Sequence, residues 1–270
     1  MTFKVDNQAH STIFGYLGFS NYGDELLASC LIKKYDLENY KFLSKKNSLL
    51  DHLKAFFLTK QVFVIGGLFQ DQTSFFSLFY YCFLIRLFNI FGKKIYLEAV
   101  GVGPILRESS RFVLFNCLKQ IRNISVRDEY SREILSSVGI EARLEKDLAW
   151  TCDEIEARGQ RTDKVLISVR NYNDWILVKE RFEFKEFDLL IMQKEFDLAE
   201  QIQFETESGV DILDPFAFHY DELLKKISSY RKLITARYHA GILGYLAKTK
   251  VEILEISPKL SSLHHTQLAP

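Results

Sequence analysis

TIFGYLGFSNYGDELLASCLIKK, residues 12–34, decides the fold. Thr12–Tyr16 is a short apolar run of β type, and Gly15, Gly18 and Gly23 punctuate the loop that follows. From Asp24 to Lys34 apolar residues recur at helical spacing behind an acidic start, which predicts a helix. A strand, a glycine loop and a helix in this order form the opening unit of a parallel α/β sheet. The same grammar recurs along the chain. Further strands are predicted at Gln61–Ile65, Lys94–Val100, Ile121–Val126 and Ala142–Glu145, then at Val165–Val169, Asp188–Met192, Val210–Leu213, Lys232–Thr235 and Val251–Ile256. Helices are predicted between them, including Ser74–Phe91, Glu108–Lys119, Asp128–Ser137, Tyr220–Ser229 and His239–Ala247. The polar stretch CDEIEARGQRTDK, residues 152–164, has no apolar period and reads as a linker. The expected organisation is two Rossmann-like domains, 1–155 and 163–270, the second one small.

Composition narrows the function. The 270 residues carry 35 Lys+Arg and 35 Asp+Glu, a formal net charge of zero, so no basic field is available for nucleic acid. No cysteine pair has metal or redox spacing, and Cys30, Cys82, Cys117 and Cys152 are expected to be buried free thiols. No metal site is legible. The N-terminal residues lack a basic region followed by a long apolar stretch, so the expectation is a cytoplasmic protein. One segment invites a membrane reading: FFSLFYYCFLIRLFNIF, residues 75–91, is nearly apolar enough to span. It is shorter than the ~20 residues a span requires and contains Arg86, so a mostly buried helix is expected. Peripheral contact with the inner face of a membrane through its aromatics stays open as the alternative.

In open parallel sheets ligands bind beyond the carboxyl ends of the strands, so the residues just after each strand matter most. After the first strand the loop offers Gly18, Gly23 and Asp24 at a helix start, without the spacing of a dinucleotide or Walker loop. After the second comes Gly66, Gly67, Gln70 and Asp71, ahead of an N-cap at Thr73 or Ser74. Asp128 should cap the next helix and Gly139 end it, with Arg127 structural. In the second half Arg170 and Arg237 each follow a strand, and His239 sits at a helix start. Paired guanidinium groups suit a phosphate or carboxylate, and a histidine can move a proton.

In order, GYLGFSNYGDE (15–25), GGLFQDQTS (66–74), GKKIYLEAVGVGPI (92–105), SVRDEYSREILSSVGI (125–140), SVR (168–170), ARYHAGI (236–242) and EISPKLSSL (255–263) resemble the polysaccharide pyruvyl transferase family. The resemblance covers most of the chain. It implies two Rossmann-like domains facing a cleft, as in B-type glycosyltransferases, with the acceptor on the N-terminal side and phosphoenolpyruvate on the C-terminal side. It implies transfer of pyruvate from phosphoenolpyruvate, as co-substrate and with no cofactor, onto a glycan or lipid-linked sugar as a cyclic ketal. Arg170 would meet the donor, and Arg237 and His239 match the family's Arg-x-His element, with Tyr238 where Leu is common. His239 is expected as general acid, with Asp24 or Asp71 as base or sugar-orienting group. Gly67 is followed directly by Leu68, a shorter glycine run than the family's. The alternatives are a B-type glycosyltransferase using a nucleotide sugar and an inactive glycan-binding relative.

Overall fold

A computed structural model describes residues 5–72, 74–154, 162–193, 196–206 and 209–254. The predicted Thr73 cap, most of the predicted linker and the 255–263 segment lie outside them. The chain divides into two units, Met1–Phe19 with Asp24–Thr151, and Ser20–Gly23 with Cys152–Pro270.

The first unit is a six-stranded parallel sheet. Its strands are β1 (Ser11–Phe14), β2 (Tyr40–Leu43), β3 (Gln61–Val64), β4 (Lys94–Val100), β5 (Asn123–Val126) and β6 (Arg143–Leu144), in the order β2-β1-β3-β4-β5-β6. Helices α1 (Tyr22–Tyr35), α2 (Leu49–Leu58), α3 (Phe75–Ile90), α4 (Glu108–Leu118) and α5 (Glu129–Ser137) connect them. The central strands are buried on both faces, as apolar runs without alternation require. A core of Val62, Val64, Leu97 and Ile124 from the sheet meets Leu78, Ile85, Leu114 and Leu135 from α3, α4 and α5.

Local signals explain the boundaries. Asp128 accepts the Ser131 amide at 2.7 Å as N-cap of α5, and Gly139 at φ +75° follows its last turn. Arg127 is buried and donates to Asp147 at 2.8 Å, and Gly101 leaves it room, since a Cβ there would lie 2.7 Å from its Nη2. Cys82 and Cys117 are buried free thiols, as expected. Cys30 and Cys152 depart from the expectation, both being disulfide-bonded.

The helix over the aromatic segment corrects the expectation of burial. Leu78, Tyr81, Cys82, Leu84, Ile85 and Phe88 point inward, and Arg86 reaches the Asn116 carbonyl at 2.5 Å. Phe76, Phe79, Phe83 and Ile90 form an exposed outer stripe, because aromatic residues occupy the outward positions as well as the inward ones.

The second unit is a five-stranded parallel sheet of β7 (Val165–Ser168), β8 (Phe187–Leu190), β9 (Ile212–Leu213), β10 (Lys232–Thr235) and β11 (Lys250–Ile253), ordered β11-β10-β7-β8-β9. Helices α6 (Tyr172–Arg181), α7 (Phe196–Thr206), α8 (Tyr220–Ser228) and α9 (Tyr238–Leu246) complete it. No helix among the described residues is long and apolar enough to cross a membrane.

Candidate active site

Each sheet reverses its strand order once, and each reversal opens a crevice between neighbouring strand ends. In the second unit the chain runs β7 to β8 to β9 and then returns to β10 on the far side of β7. The reversal therefore lies between β7 and β10, whose ends are in register, Ser168 opposite Thr235. Arg170 and Arg237 each sit two residues past that pair. The Thr235 hydroxyl accepts the Arg237 amide at 2.8 Å, and the Ala236 amide donates to the Ser168 carbonyl at 2.9 Å, which fixes both strand exits.

The two guanidinium groups are not equivalent. Arg170 is bound by Asp174, one turn on in α6, through Nε at 2.9 Å, Nη2 at 3.2 Å and its backbone amide at 3.1 Å. Asp174 is buried while Arg170 is partly exposed, so the carboxylate holds one face of the guanidinium and leaves the other toward solvent. Arg237 is more deeply placed, with Gln193 Oε1 at 3.5 Å from its Nη1. Burial, then the positive charge of Arg170, push its pKa down to about 10, against the opposing pull of Asp174. It stays charged at neutral pH. Two arginines close enough to repel are the arrangement a bound anion would relieve.

His239 stands in the first turn of α9 and is half-buried. The segment Ser20–Gly23 is folded into this same unit: the Tyr22 amide donates to the Met192 carbonyl at 2.8 Å, Asn21 pairs with Gln193, and the Tyr22 ring meets Phe216 edge-on at 5.3 Å. A Cβ on Gly23 would lie 2.1 Å from His239 Nδ1 and 2.6 Å from its Cγ. Gly23 is thus the floor on which the imidazole rests. Two motifs more than 200 residues apart in sequence meet at one point.

The first unit repeats the pattern at its own reversal, between β1 and β3. Gly66 leaves β3 at φ +76°, and the buried Asp24 carboxylate lies against it, with Oδ1 2.7 Å from where a Cβ would stand. Gly67 and Gln70 follow, both half-buried. Gly18, at φ +76°, is exposed; its amide donates to Glu25 Oε1 at 2.6 Å and its carbonyl accepts from Lys46. Asp71 is engaged by a different segment. Its two oxygens accept the amides of Leu106 at 2.8 Å and Arg107 at 3.0 Å, at the start of α4. Burial raises its pKa, but the Leu106 and Arg107 amides and the Arg107 charge act against that, and it lies below the usual carboxylate range. An ionised carboxylate so committed anchors the turn that leads into α4.

Of the sequence-derived residues, then, Arg170, Arg237, His239 and Gly23 belong to the second unit, while Gly18, Asp24, Gly66, Gly67, Gln70 and Asp71 belong to the first. Sequence reasoning missed Gln193 and Asp174. Gln193 follows β8 just as the arginines follow their strands, so the same rule would have found it. Asp174 carried the signal of a carboxylate four residues after an arginine at a helix start. A depression of about 530 Å³ lined by Arg122, Asn123, Glu141 and Arg143 lies at the amino ends of β5 and β6, the edge where this architecture does not place ligands. Among the described residues no three acidic, histidine or cysteine side chains gather as a metal site.

The sequence model of the family described as polysaccharide pyruvyl transferase matches residues 21–255. In three dimensions the chain is similar to a functionally uncharacterised protein from Klebsiella pneumoniae, with 12% identity and a TM-score of 0.57, covering 96% of this chain and 89% of that one. It is also similar to a protein from Listeria monocytogenes ascribed to the UDP-N-acetylglucosamine 2-epimerases, with 11% identity and a TM-score of 0.52, covering 96% and 82%. At such identities the likeness shows the fold alone, an α/β chain with two parallel sheets. No curated protein matches the chain in sequence.

Proposed function

This chain belongs to the polysaccharide pyruvyl transferase family, and from that premise we propose that it transfers pyruvate from phosphoenolpyruvate onto two hydroxyls of a cell-surface glycan sugar. The observation that carries the donor assignment is the pairing of Arg170 and Arg237 at the strand-order reversal of the second sheet. Phosphoenolpyruvate presents a phosphate and a carboxylate on one short carbon frame. Two guanidinium groups on neighbouring strand ends are suited to hold one anion each.

The reaction requires a proton on the methylene carbon of the enol, which leaves the adjacent carbon with oxocarbenium character. A sugar hydroxyl adds there and loses its proton. The carbon–oxygen bond to phosphate breaks, inorganic phosphate leaves, and the second hydroxyl closes the ketal. His239 is the group assigned to supply the proton or to bind the departing phosphate, since its ring rests on Gly23 and its backbone lies two residues past Arg237. The acceptor side is assigned to the first unit, whose sheet edge carries Asp24 against Gly66. No cofactor enters this scheme.

Calorimetric titration with phosphoenolpyruvate tests the donor assignment directly. Wild type should bind it, and Arg237→Ala, losing one charge-assisted contact of about 1.5–3 kcal/mol, should bind it ten- to a hundredfold more weakly. Absence of wild-type binding at millimolar phosphoenolpyruvate would remove the donor site from this sheet edge.

A further inference from the structure

We propose that the outer face of α2, α3 and α4 docks on an anionic lipid bilayer. More than half of the exposed large apolar side chains among the described residues lie on these three helices of the first unit or at their ends. Phe57 on α2 is 75% exposed, Phe76 on α3 79% and Phe112 on α4 71%, far beyond what scattered surface residues need. The helices adjoin one another. Phe56 of α2 packs on Phe88 and Phe91 at 5.5 and 4.8 Å, and Arg86 of α3 bonds the α4 backbone at Asn116. Along α3, Phe79 and Phe83 stack at 6.4 Å on the outward side. Three adjoining helices thus each present exposed large apolar side chains.

Charge identifies the occupant. The three helices and the residues just past α3 and α4 carry Lys54, Arg86, Lys93, Arg111 and Lys119 against Asp51 and Glu108, a formal +3 in a chain whose total is zero. Both acids are paired, Asp51 with Lys41 at 3.1 Å and Glu108 with Arg111 at 3.7 Å. The cations lie among the aromatics: Lys93 stands over Phe56 at 5.9 Å and Lys119 over Phe115 at 5.3 Å. Exposed phenylalanine and leucine flanked by lysine and arginine, with both acids already paired, suit a helix face that lies in the headgroup layer of an acidic membrane. At about 1.5 Å per residue the sixteen residues of α3 reach roughly 24 Å, short of a ~30 Å hydrocarbon core, so the contact is in-plane.

The proposal does not rest on pyruvyl transfer, and its test needs neither donor nor acceptor. The full chain is floated with vesicles of phosphatidylcholine alone and of phosphatidylcholine with phosphatidylglycerol, at low and high salt. Wild type should float with the acidic vesicles and be released by salt. Lys54→Glu with Lys119→Glu should weaken partitioning at least about 25-fold, at about fivefold per charge removed. Phe76→Ser with Phe83→Ser should weaken it at least tenfold while the thermal midpoint stays unchanged, since both side chains are outside the core. Failure to float, equal floating of all variants, or indifference to lipid charge would overturn the proposal. So would light scattering that shows the face closed by a second copy of the chain.

Discussion

Replacing Gly23 by alanine separates the position of His239 from every other property of the site. Gly23 lies in the first turn of α1 and is not among the glycines with positive φ, so alanine meets no backbone conflict there. In a helix alanine is favoured over glycine by about 0.8–1 kcal/mol. The obstacle is space alone. The new Cβ would stand 2.1 Å from Nδ1, 2.6 Å from Cγ and 2.9 Å from Cβ of His239. Carbon contacts settle near about 3.5 Å, so the ring must retreat by roughly 1.4 Å. Overpacking of this kind costs about 1–3 kcal/mol, and the helix gain offsets part of it, leaving the fold intact with a net loss of about 0–2 kcal/mol. A misplacement of about 1 Å at the reacting centre costs about a hundredfold in rate. The expected result is therefore a folded protein with a slightly lowered thermal midpoint, displaced His239 imidazole resonances, near-normal phosphoenolpyruvate affinity and about a hundredfold slower phosphate release in the presence of a competent glycan. Unshifted imidazole signals together with wild-type turnover would refute the contact and the role built on it.

The imidazole and two of the carboxylates can be probed in the same way. His239→Gln keeps a hydrogen-bond donor but cannot carry a proton, so turnover should fall about 10²–10⁴-fold with donor affinity largely retained, read by calorimetry beside rate. Asp174→Asn removes the negative charge beside Arg170; phosphoenolpyruvate should bind about tenfold tighter while urea unfolding shows a loss of about 1–3 kcal/mol. Asp71→Ala should cost about 2–3 kcal/mol, read by urea unfolding, and leave donor binding unaltered. Because the folded protein holds the Asp71 pKa below its ordinary value, that stabilisation is present above the ordinary carboxylate pKa and is lost as pH falls through the lowered one. The variant's stability should accordingly decline less steeply in acid than that of wild type.

The alternation of strand and helix was legible because parallel strands buried on both faces must be continuous apolar runs. Lys94–Val100 and Lys232–Thr235 appear in the structure with the limits predicted for them. The elements that escaped had no such run. β2 is an edge strand with three of its four residues exposed, so burial never selected its pattern. α2 shows apolar residues on its outward side, which blurs the amphipathic period by which a helix is recognised. α3 misled for the same reason: a segment aromatic on every side reads as buried, and only the packing of neighbours decides which side is left over.

For the candidate site, the sequence offered residues by their position after strands but could not say what each of them touches. Asp24 and Asp71 look alike as carboxylates near glycine loops. One rests against Gly66 at a strand-order reversal, and the other is consumed by the two amides that lead into α4, more than thirty residues away. Arg170 and Arg237 both follow strands, yet only Arg170 has a carboxylate four residues on, which its Nε reaches at 2.9 Å. On the proposed reading that asymmetry would give the pair distinct tasks: Arg170, gripped by Asp174 through Nε and Nη2, would offer a fixed guanidinium, while Arg237 sits deeper, where burial and the Arg170 charge both lower its pKa. A group that is costly to keep charged in the empty site gains most when an anion arrives. Donor binding energy should therefore reside chiefly in Arg237, with Arg170 setting orientation.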